Sequence, residues 1–209
     1  MLAKTKTIDL AHQTIAPSDL YAYPRTKMPG ICFFDLDGTL RETKSGATFI
    51  NDPTDQQPIA GAQEMLTHYS DKGFTCIGIT NQGGCASINP ATGKMLKLIA
   101  DTILEQQLTL ELFPELSEIF FCPNWGESCY QISRGNEPLI FFAPIARDGL
   151  VVSCRKPGHG MLLVAAKNLS EFDNGNCRMI GDRPEDHNCA LTAGIDFAWA
   201  TDIRAKFID

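Results

Sequence analysis

Two aspartates separated by one residue are the most distinctive chemical feature of the sequence. Four apolar residues, 31–34, run directly into Asp35, and Asp37 and Gly38 follow. A short unbroken apolar run is typical of a strand that is buried on both faces. Because side chains in a strand have a period of two, Asp35 and Asp37 are expected to point to the same side. Neighbouring carboxylates repel each other, so the pair predicts a bound cation, a shared proton or both.

A hydroxyl and an amide stand at the end of a second apolar run. Residues 74–80 form this run, Asn81 follows Thr80 at its end, and Gly83 and Gly84 come after Gln82. Such side chains can bind phosphate, and the glycines let backbone N–H groups approach it. The plainer interpretation is a capped turn between a strand and a helix. The aspartate pair earlier in the chain favours the phosphate-binding interpretation.

A basic pair and a second acidic pair complete the set of candidate residues. Arg155 and Lys156 precede a Pro-Gly turn at the start of a predicted helix, from which a lysine can reach an anionic centre. Asp182 and Asp186 follow another predicted strand, and hard cations such as Mg²⁺ prefer oxygen ligands. Without the rest of the set, these residues would indicate a solvated loop and an ordinary helix start.

Taken in order, these four segments resemble the four motifs of the haloacid dehalogenase superfamily of phosphatases. The resemblance implies that Asp35 attacks phosphorus and forms an aspartyl-phosphate, and that Asp37 protonates the leaving oxygen and then activates water. It also implies further roles, which are phosphate binding by Thr80, Asn81 and Lys156, a Mg²⁺ site made by Asp35, Asp37 and Asp182, and supporting contacts from Asp186 and Arg155.

Within the superfamily, residues 80–82 (Thr-Asn-Gln) and 154–157 (Cys-Arg-Lys-Pro) are most similar to class III. This branch includes heptose bisphosphate phosphatases, histidinol phosphatases and polynucleotide 3′-phosphatases. The sugar and histidinol enzymes often carry a four-ligand zinc loop. Here Cys122 and Cys154 match that loop, but Asn124 and Val152 replace two ligands, although Cys129 could replace one of them and His159 is nearby in the sequence. Structural zinc needs four such ligands, so we expect no stoichiometric zinc.

Apolar runs alternate with helical spacing along the chain, which predicts an α/β fold with a doubly wound, three-layer parallel sheet. The resemblance implies the same Rossmann-like architecture. Predicted strands cover 31–34, 74–80, 117–122, the segment from 177 and 195–200, and predicted helices cover 59–72, 91–108, 161–172 and the segment that Gly194 ends. About 40 residues separate the first two motifs, too few for a large cap domain.

The whole chain, 1–209, is interpreted as a single domain. Residues 1–30 are expected to form an N-terminal arm, and residues 41–58 a loop or small hairpin at the mouth of the site. The segment 123–153 is the least regular and is expected to be a loop with a hairpin. Its aromatic side chains and two arginines make it the predicted determinant of substrate choice. The side chains in question are Trp125, Tyr130, Phe141, Phe142, Arg134 and Arg147.

The overall charge argues against a nucleic-acid or anionic-membrane surface, since the net charge is −7 and the chain is 44% hydrophobic and 21% charged. No apolar stretch is long enough to span a bilayer, and residues 1–30 lack the apolar core of a signal peptide. We therefore expect a cytoplasmic protein without membrane partners. Most cysteines are expected to pack in the core as thiols. Composition does not determine the oligomeric state.

Three functions remain open on the sequence alone. The first is a Mg²⁺-dependent phosphomonoesterase that acts on a small phosphorylated metabolite, which the acidic composition favours. The second is a phosphatase of nucleic-acid 3′ ends, which the Arg-Lys-Pro-x-x-Gly-Met segment at 155–161 and an open site suggest. The third is a non-catalytic protein with the same fold. The complete set of candidate residues argues against the third, because a site without activity needs none of them.

Overall fold

The computed structural model describes residues 30–144, 149–166 and 176–208. The predicted arm therefore lies outside the described residues, apart from Gly30. Most strands join one sheet with the order β7-β6-β5-β4-β1-β8-β9. These strands are β1 (Ile31–Phe34), β4 (Thr75–Asn81), β5 (Leu116–Cys122), β6 (Ser128–Ser133), β7 (Leu139–Phe142), β8 (Arg178–Gly181) and β9 (Asp196–Trp199). A separate small hairpin pairs β2 (Arg41–Glu42) with β3 (Gln57–Pro58).

The sheet is parallel from β5 to β9, and β6 and β7 extend it as an antiparallel hairpin. Helices cover both faces. They are α1 (Ala62–Asp71), α2 (Ile99–Leu112), α3 (Gly160–Ala165), α4 (Pro184–Ala193) and α5 (Ala200–Arg204). This arrangement confirms the predicted doubly wound α/β fold. Between the motif strands, the described segments add only these hairpins and helices rather than a cap domain.

The central strand β1 explains how the core forms. All four of its residues are buried, and alternate side chains enter two different apolar clusters. Cys32 and Phe34 pack on the face that α1 covers, whereas Ile31 and Phe33 pack on the face of α3 and α4. A strand that is apolar on both faces is stable only in the middle of such a sheet. The residue after β1 therefore emerges at the centre of the sheet's carboxyl edge.

Several element boundaries differ from the sequence prediction, and among the described residues the start of α2 differs most. The helix predicted at 91–108 begins only at Ile99, and the residues before it form an irregular segment in which Ile88 and Met95 make an isolated bridge. Met95 and Leu98, which gave the apparent helical spacing, are about half exposed (45% and 58%). The segment predicted as strand to residue 200 ends at Trp199, where α5 begins.

The eight cysteines are all buried as thiols, which confirms their predicted place in the core. The helix predicted at 161–172 is described only as far as residue 166. In the described part of the chain, no helix combines the length and the apolar character that crossing a bilayer requires.

Candidate active site

Asp35 lies at the centre of the site, directly after β1. Its backbone N–H donates to the carbonyl of Ile180 at 2.9 Å, which fixes the chain between β1 and β8. The residue is 6% exposed. Burial raises the pKa of the Asp35 carboxyl to about 8, and the positive charge of Lys156 only partly offsets this rise. A carboxylate in this place needs a further cation besides Lys156 to stay ionised at neutral pH.

Lys156 connects two of the predicted acids. Its ammonium donates to Asp35 Oδ1 at 2.5 Å and lies 2.6 Å from Asp186 Oδ1, and it also donates to the Ile79 carbonyl at 3.1 Å. Burial would lower the pKa of Lys156, but the two carboxylates outweigh burial and hold it well above its ordinary value. A lysine that is buried and remains charged can neutralise an anion bound beside Asp35.

Three acids form a group that could hold a metal ion. Oxygens of Asp35, Asp182 and Asp186 lie within 4.8 Å of one another. Oxygen ligands of this kind suit Mg²⁺. Asp186 Oδ2 also accepts the backbone N–H groups of Asp182 and Arg183, so this side chain fixes the strand-to-helix turn as well. The structure does not bring the carboxylate of Asp37 into this group.

Gly38 makes room for the acidic group. Its φ is +91°, and a Cβ at this position would lie 2.3 Å from Asp182 Oδ2. A side chain here would therefore be strained by its backbone conformation and would also collide with the carboxylate. Thr39, the next residue, is fully buried, and its hydroxyl donates to Asp182 Oδ1 at 3.4 Å. The turn after β1 is thus shaped to fit the end of β8.

Asp37 has different partners. Arg41 Nε donates to its Oδ1 at 2.9 Å, and Gln82 Nε2 donates to its Oδ2 at 3.0 Å. The Asp37 side chain is 39% exposed, whereas that of Arg41 is fully buried. Burial would raise the pKa of Asp37, but the charge and hydrogen bond of Arg41 outweigh burial and lower it. Asp35 and Asp37 are therefore two neighbouring carboxyls with opposite pKa shifts, and in the metal-free protein Asp35 holds a proton more readily than Asp37 does.

Four residues around Asp37 were not predicted as part of the site. Arg41, Gln82, Lys97 and Glu105 are joined to one another and to Asp37 by hydrogen bonds. Arg41 was expected within a loop or small hairpin, and the structure places it in the small hairpin of β2 and β3, with its side chain fully buried. A usable signal was present in α2, where several buried residues are polar and share one helical face. They are Thr102, Glu105, Gln106 and Thr109.

The structure brings one of the two predicted phosphate ligands of β4 to Asp37. Thr80 is 1% exposed, and its hydroxyl lies 3.5 Å from Asp37 Oδ2. Asn81 instead bridges two chain segments, since its Nδ2 donates to the Lys156 carbonyl at 3.1 Å and its Oδ1 accepts the Lys156 N–H at 3.0 Å. These bonds use Asn81 to hold the Lys156 loop against β4. Its contact with phosphate stays a prediction.

Arg155 and Trp125 form the exposed rim near Lys156. The guanidinium of Arg155 lies 5.5 Å from the centre of the Trp125 ring, and the ring is 67% exposed. The paired glycines after β4 give space to basic side chains. A Cβ at Gly83 would lie 2.9 Å from Arg155 Nη1, and one at Gly84 would lie 3.3 Å from the Cβ of Lys97.

Other predicted specificity residues of the 123–153 segment pack on the fold. Tyr130 stacks on Phe121 at 5.0 Å between ring centres, and Phe141 packs near Phe120. Arg134, one of the two predicted specificity arginines, instead bonds the backbone of the fold. Its guanidinium donates to the carbonyls of Leu110, Phe113 and Leu116, between α2 and the start of β5. Arg147 lies outside the described residues.

Asn124, at a zinc-ligand position of the resembling enzymes, organises a turn. Its Oδ1 accepts the N–H of Gly126 at 3.0 Å, and its Nδ2 donates to the Ser128 hydroxyl at 3.0 Å. The thiol of Cys122 donates to Asn124 Oδ1 at 3.4 Å. Hydrogen bonds therefore connect residues that a metal would otherwise join, and the absence of zinc stays a prediction.

Comparison with known proteins supports the chemistry that these contacts indicate. The model of the polynucleotide kinase 3 phosphatase family matches residues 30–208. The chain belongs to this family. The match covers every candidate residue, from Asp35 to Asp186. Membership of the polynucleotide kinase 3 phosphatase family, together with the relatives described next, confirms the predicted haloacid dehalogenase-type phosphatase, an enzyme that hydrolyses phosphoric monoesters.

Relatives of this family member include sugar phosphatases. The chain is 29% identical over 165 residues to D-glycero-beta-D-manno-heptose-1,7-bisphosphate 7-phosphatase of Haemophilus ducreyi, a match that covers 78% of each protein. The corresponding enzyme of Escherichia coli K12 is 25% identical, with 78% of this chain and 74% of the enzyme covered.

Solved structures show the same fold. A HAD-like phosphatase from Mesorhizobium loti has a TM-score of 0.56 at 20% identity, over 80% of this chain and 69% of that one. D,D-heptose 1,7-bisphosphate phosphatase from B. bronchiseptica, complexed with magnesium and phosphate, has a TM-score of 0.52 at 20% identity, over 80% of this chain and 78% of that one. These matches confirm the predicted Rossmann-like fold of the superfamily.

Proposed function

We propose that this phosphatase is Mg²⁺-dependent and acts through an aspartyl-phosphate on Asp35, with a small phosphorylated sugar or similar metabolite as substrate. One observation carries the proposal. Asp35, Lys156 and the group of Asp182 and Asp186 converge at the carboxyl edge of the sheet, so a nucleophile, a fixed cation and metal ligands share one site. Such a site binds and activates a phosphoryl group.

The residues fit a magnesium ion. Asp35 and Asp182 would be its ligands, and Asp186 either joins them or supports them. Their oxygens are close enough to bind one ion, and three acids in this space repel one another without it. When bound, Mg²⁺ supplies neutralisation of phosphate charge and keeps Asp35 ionised. The relative whose structure contains magnesium and phosphate supports the same assignment.

The reaction is divided between the two carboxyls. An oxygen of Asp35 attacks phosphorus, and the bond from phosphorus to the leaving oxygen breaks, which leaves phosphate on Asp35 as an acyl phosphate. Asp37 has a lowered pKa and is ionised at rest, so it must first take up a proton from solvent, and it then gives that proton to the leaving oxygen. In the second step it takes a proton from water while the water oxygen bonds to phosphorus and the bond between phosphorus and Asp35 breaks, which releases phosphate. Lys156 stabilises the negative charge of the phosphoryl group, and Thr80 presents a hydroxyl on the same side.

A small metabolite is favoured as substrate by the acidic composition and by the sugar phosphatases among the relatives. The alternative, a nucleic-acid 3′ end, is favoured by one feature of the rim. Exposed Trp125 with the adjacent Arg155 offers a surface on which a base could stack. The description of the matching family also names a polynucleotide substrate.

The test is phosphate release from a panel of sugar phosphates, other metabolite monoesters and 3′-phosphorylated oligonucleotides, with Mg²⁺ or with EDTA. We expect activity only with Mg²⁺, and we expect Asp35→Asn to lose it by roughly a thousandfold or more, because the nucleophile is gone while the shape is kept. Asp196→Asn, an exposed carboxylate on β9, is the matched control. Full activity in EDTA, or parental turnover by Asp35→Asn, would contradict the proposal.

A further inference from the structure

The contacts of Asp37 continue into a closed ring of hydrogen bonds. On one side, Arg41 Nε donates to Asp37 Oδ1, and Nη2 of the same guanidinium donates to Glu105 Oε1 at 2.6 Å. On the other side, Gln82 Nε2 donates to Asp37 Oδ2, and Oε1 of the same amide accepts a hydrogen bond from Lys97 Nζ at 3.0 Å. Lys97 Nζ in turn donates to Glu105 Oε2. Both paths from Asp37 therefore end on the two oxygens of one carboxylate.

Glu105 is the point where the two paths meet, and it is far from Asp37 in the chain. It lies on α2, and its side chain is fully buried, as is that of Arg41. The side chain of Lys97 is 9% exposed. Two carboxylates alternate with two cations around the ring, so the formal charges cancel. Charged groups of this kind are retained inside a protein only where they are paired and hydrogen-bonded.

The ring differs from what stability alone would require. If apolar side chains replaced Arg41 and Lys97, the fold would need no carboxylate on α2, because replacing buried ion pairs by apolar groups is often neutral for stability. Arg41 also bonds the side chains of Gln56 and Thr109, so its guanidinium is held from several directions. The part of this assembly that reaches solvent is Asp37, at 39% exposure. The buried residues thus converge on a single exposed carboxyl.

We infer that Glu105 is a positioning residue for catalysis, which holds Arg41 and Lys97 so that the Asp37 carboxyl keeps one fixed orientation at the site. The inference rests on the proposed role of Asp37 as the acid. Glu105 itself touches neither substrate nor reacting atoms. Displacement of a catalytic group by about 1 Å can lower the rate on the order of a hundredfold, so loss of Glu105 should act through misplacement of Asp37.

The test uses the dependence of kcat/KM on the leaving group, with Mg²⁺ present. An alkyl phosphate such as glycerol phosphate needs a proton on its leaving oxygen, whereas p-nitrophenyl phosphate scarcely does. Glu105→Gln keeps the shape but turns one acceptor oxygen into a donor that faces a cation. We expect kcat/KM to fall by roughly tenfold or more for the alkyl ester and by less than about threefold for the aryl ester.

Two further variants set the scale. Asp37→Asn should show the same selectivity at larger size. Leu110→Ala, a buried apolar residue on the same helix, should lower the thermal midpoint without changing the ratio of the two kcat/KM values. If Glu105→Gln does not fold, Lys97→Met is the alternative variant, because it removes only the link between Gln82 and Glu105. It should lower kcat/KM selectively for the alkyl ester, but by less than Glu105→Gln.

The outcomes separate the inference from the function on which it rests. An equal loss on both esters in Glu105→Gln, as in a merely destabilised variant, would overturn the positioning role alone. If Asp37→Asn lowered kcat/KM equally for both esters, the acid role of Asp37 would be overturned, and the inference with it. A parental ratio in both Glu105→Gln and Lys97→Met would likewise return the ring to a structural role.

Discussion

At the residue scale, the site depends on how two adjacent carboxyls are given different environments. Asp35 is enclosed by the core and by Lys156, and its pKa is raised, whereas Asp37 faces Arg41 and its pKa is lowered. The turn between them and the end of β8 contains Gly38, where no other residue fits without strain. A single small residue therefore controls whether the carboxylate of Asp182 can approach Asp35.

This dependence predicts a selective effect of Gly38→Ala. The new Cβ would meet Asp182 Oδ2 at 2.3 Å, so the carboxylate must move away from the acidic group. We expect Mg²⁺-dependent kcat/KM to fall by roughly a hundredfold. Gly46→Ala is the matched control, because Gly46 also has a positive φ (+79°) but no neighbour within 4 Å.

Steady-state kinetics and Mg²⁺ titration by calorimetry would measure the effect. Gly46→Ala should cost about 1 kcal/mol of stability from backbone strain, and Gly38→Ala should cost more because its Cβ also collides with Asp182. Only Gly38→Ala should weaken metal binding. Equal Mg²⁺ affinities in the two variants would show that the contact with Asp182 is unimportant.

Individual residues also show which parts of the site could not be predicted from the sequence. Asp35, Lys156 and Asp182 could be predicted because each follows a local pattern of strand, turn and polar residue. Arg41 and Glu105 could not be paired from the sequence, since 64 positions separate them and neither belongs to a local motif. Asn81 was recognised as a site residue, but its bonds to the Lys156 backbone depend on how two distant loops meet.

At the element scale, the hairpin β6–β7 and the turn before it form the segment to which the sequence analysis assigned substrate choice. Strand positions were predictable from apolar runs that are buried on both faces. The start of α2 was not, because exposed Met95 and Leu98 imitate the spacing of a buried helix face. The contacts of Arg134 were not predictable either, since the sequence does not show that its donors satisfy carbonyls at the end of a helix.

Among the described members of the predicted specificity surface, these contacts leave Trp125, which packs on Arg155, and Phe142, which is 81% exposed. Trp125→Ala removes an exposed ring that packs on the Arg155 guanidinium. We expect it to change the ranking of substrates by about tenfold in relative kcat/KM, because discrimination depends on contacts beyond the phosphate. Hydrolysis of p-nitrophenyl phosphate should change much less.

The substrate panel measures this prediction, with Leu139→Ala as the control. Leu139 is also exposed (54%), but it lies at the end of β7 that pairs with Gln131. A selective loss on oligonucleotides would favour the nucleic-acid alternative, and one on sugar phosphates the metabolite. An unchanged ranking would move specificity to another segment, such as residues 41–58.

At the scale of the whole molecule, the acidic group joins separate parts of the sheet. Asp35 follows β1, Asp182 follows β8, and Asp186 lies in α4. A cation held by the three would connect these elements in the folded state only, so its binding free energy would add to the stability of the fold. The raised pKa of Asp35 makes this stabilisation dependent on pH, because a proton competes with the metal for the same carboxyl.

The sign of the pH dependence follows from the direction of that shift. In the metal-free protein, Asp35 keeps its proton up to about pH 8, whereas the unfolded chain releases it near the ordinary value of 3.8. Protonated Asp35 therefore contributes fully to the free energy of unfolding at low pH, and this contribution is lost as pH rises to about 8. Mg²⁺ needs the ionised carboxyl, so the rise in thermal midpoint that Mg²⁺ causes should be larger at pH 8.5 than at pH 6.5.

Differential scanning calorimetry with and without Mg²⁺ at the two pH values would measure this difference. At a Mg²⁺ concentration about 100 times its Kd, a stabilisation of about 2.7 kcal/mol is expected, or roughly 5–10 °C in a chain of this size. Asp35→Asn removes the titrating group, so any remaining Mg²⁺ effect should be small and the same at both pH values. Asp196→Asn should behave like the parent. If Mg²⁺ raised the thermal midpoint of the parental protein equally at pH 6.5 and 8.5, the proton and the metal would not compete for Asp35.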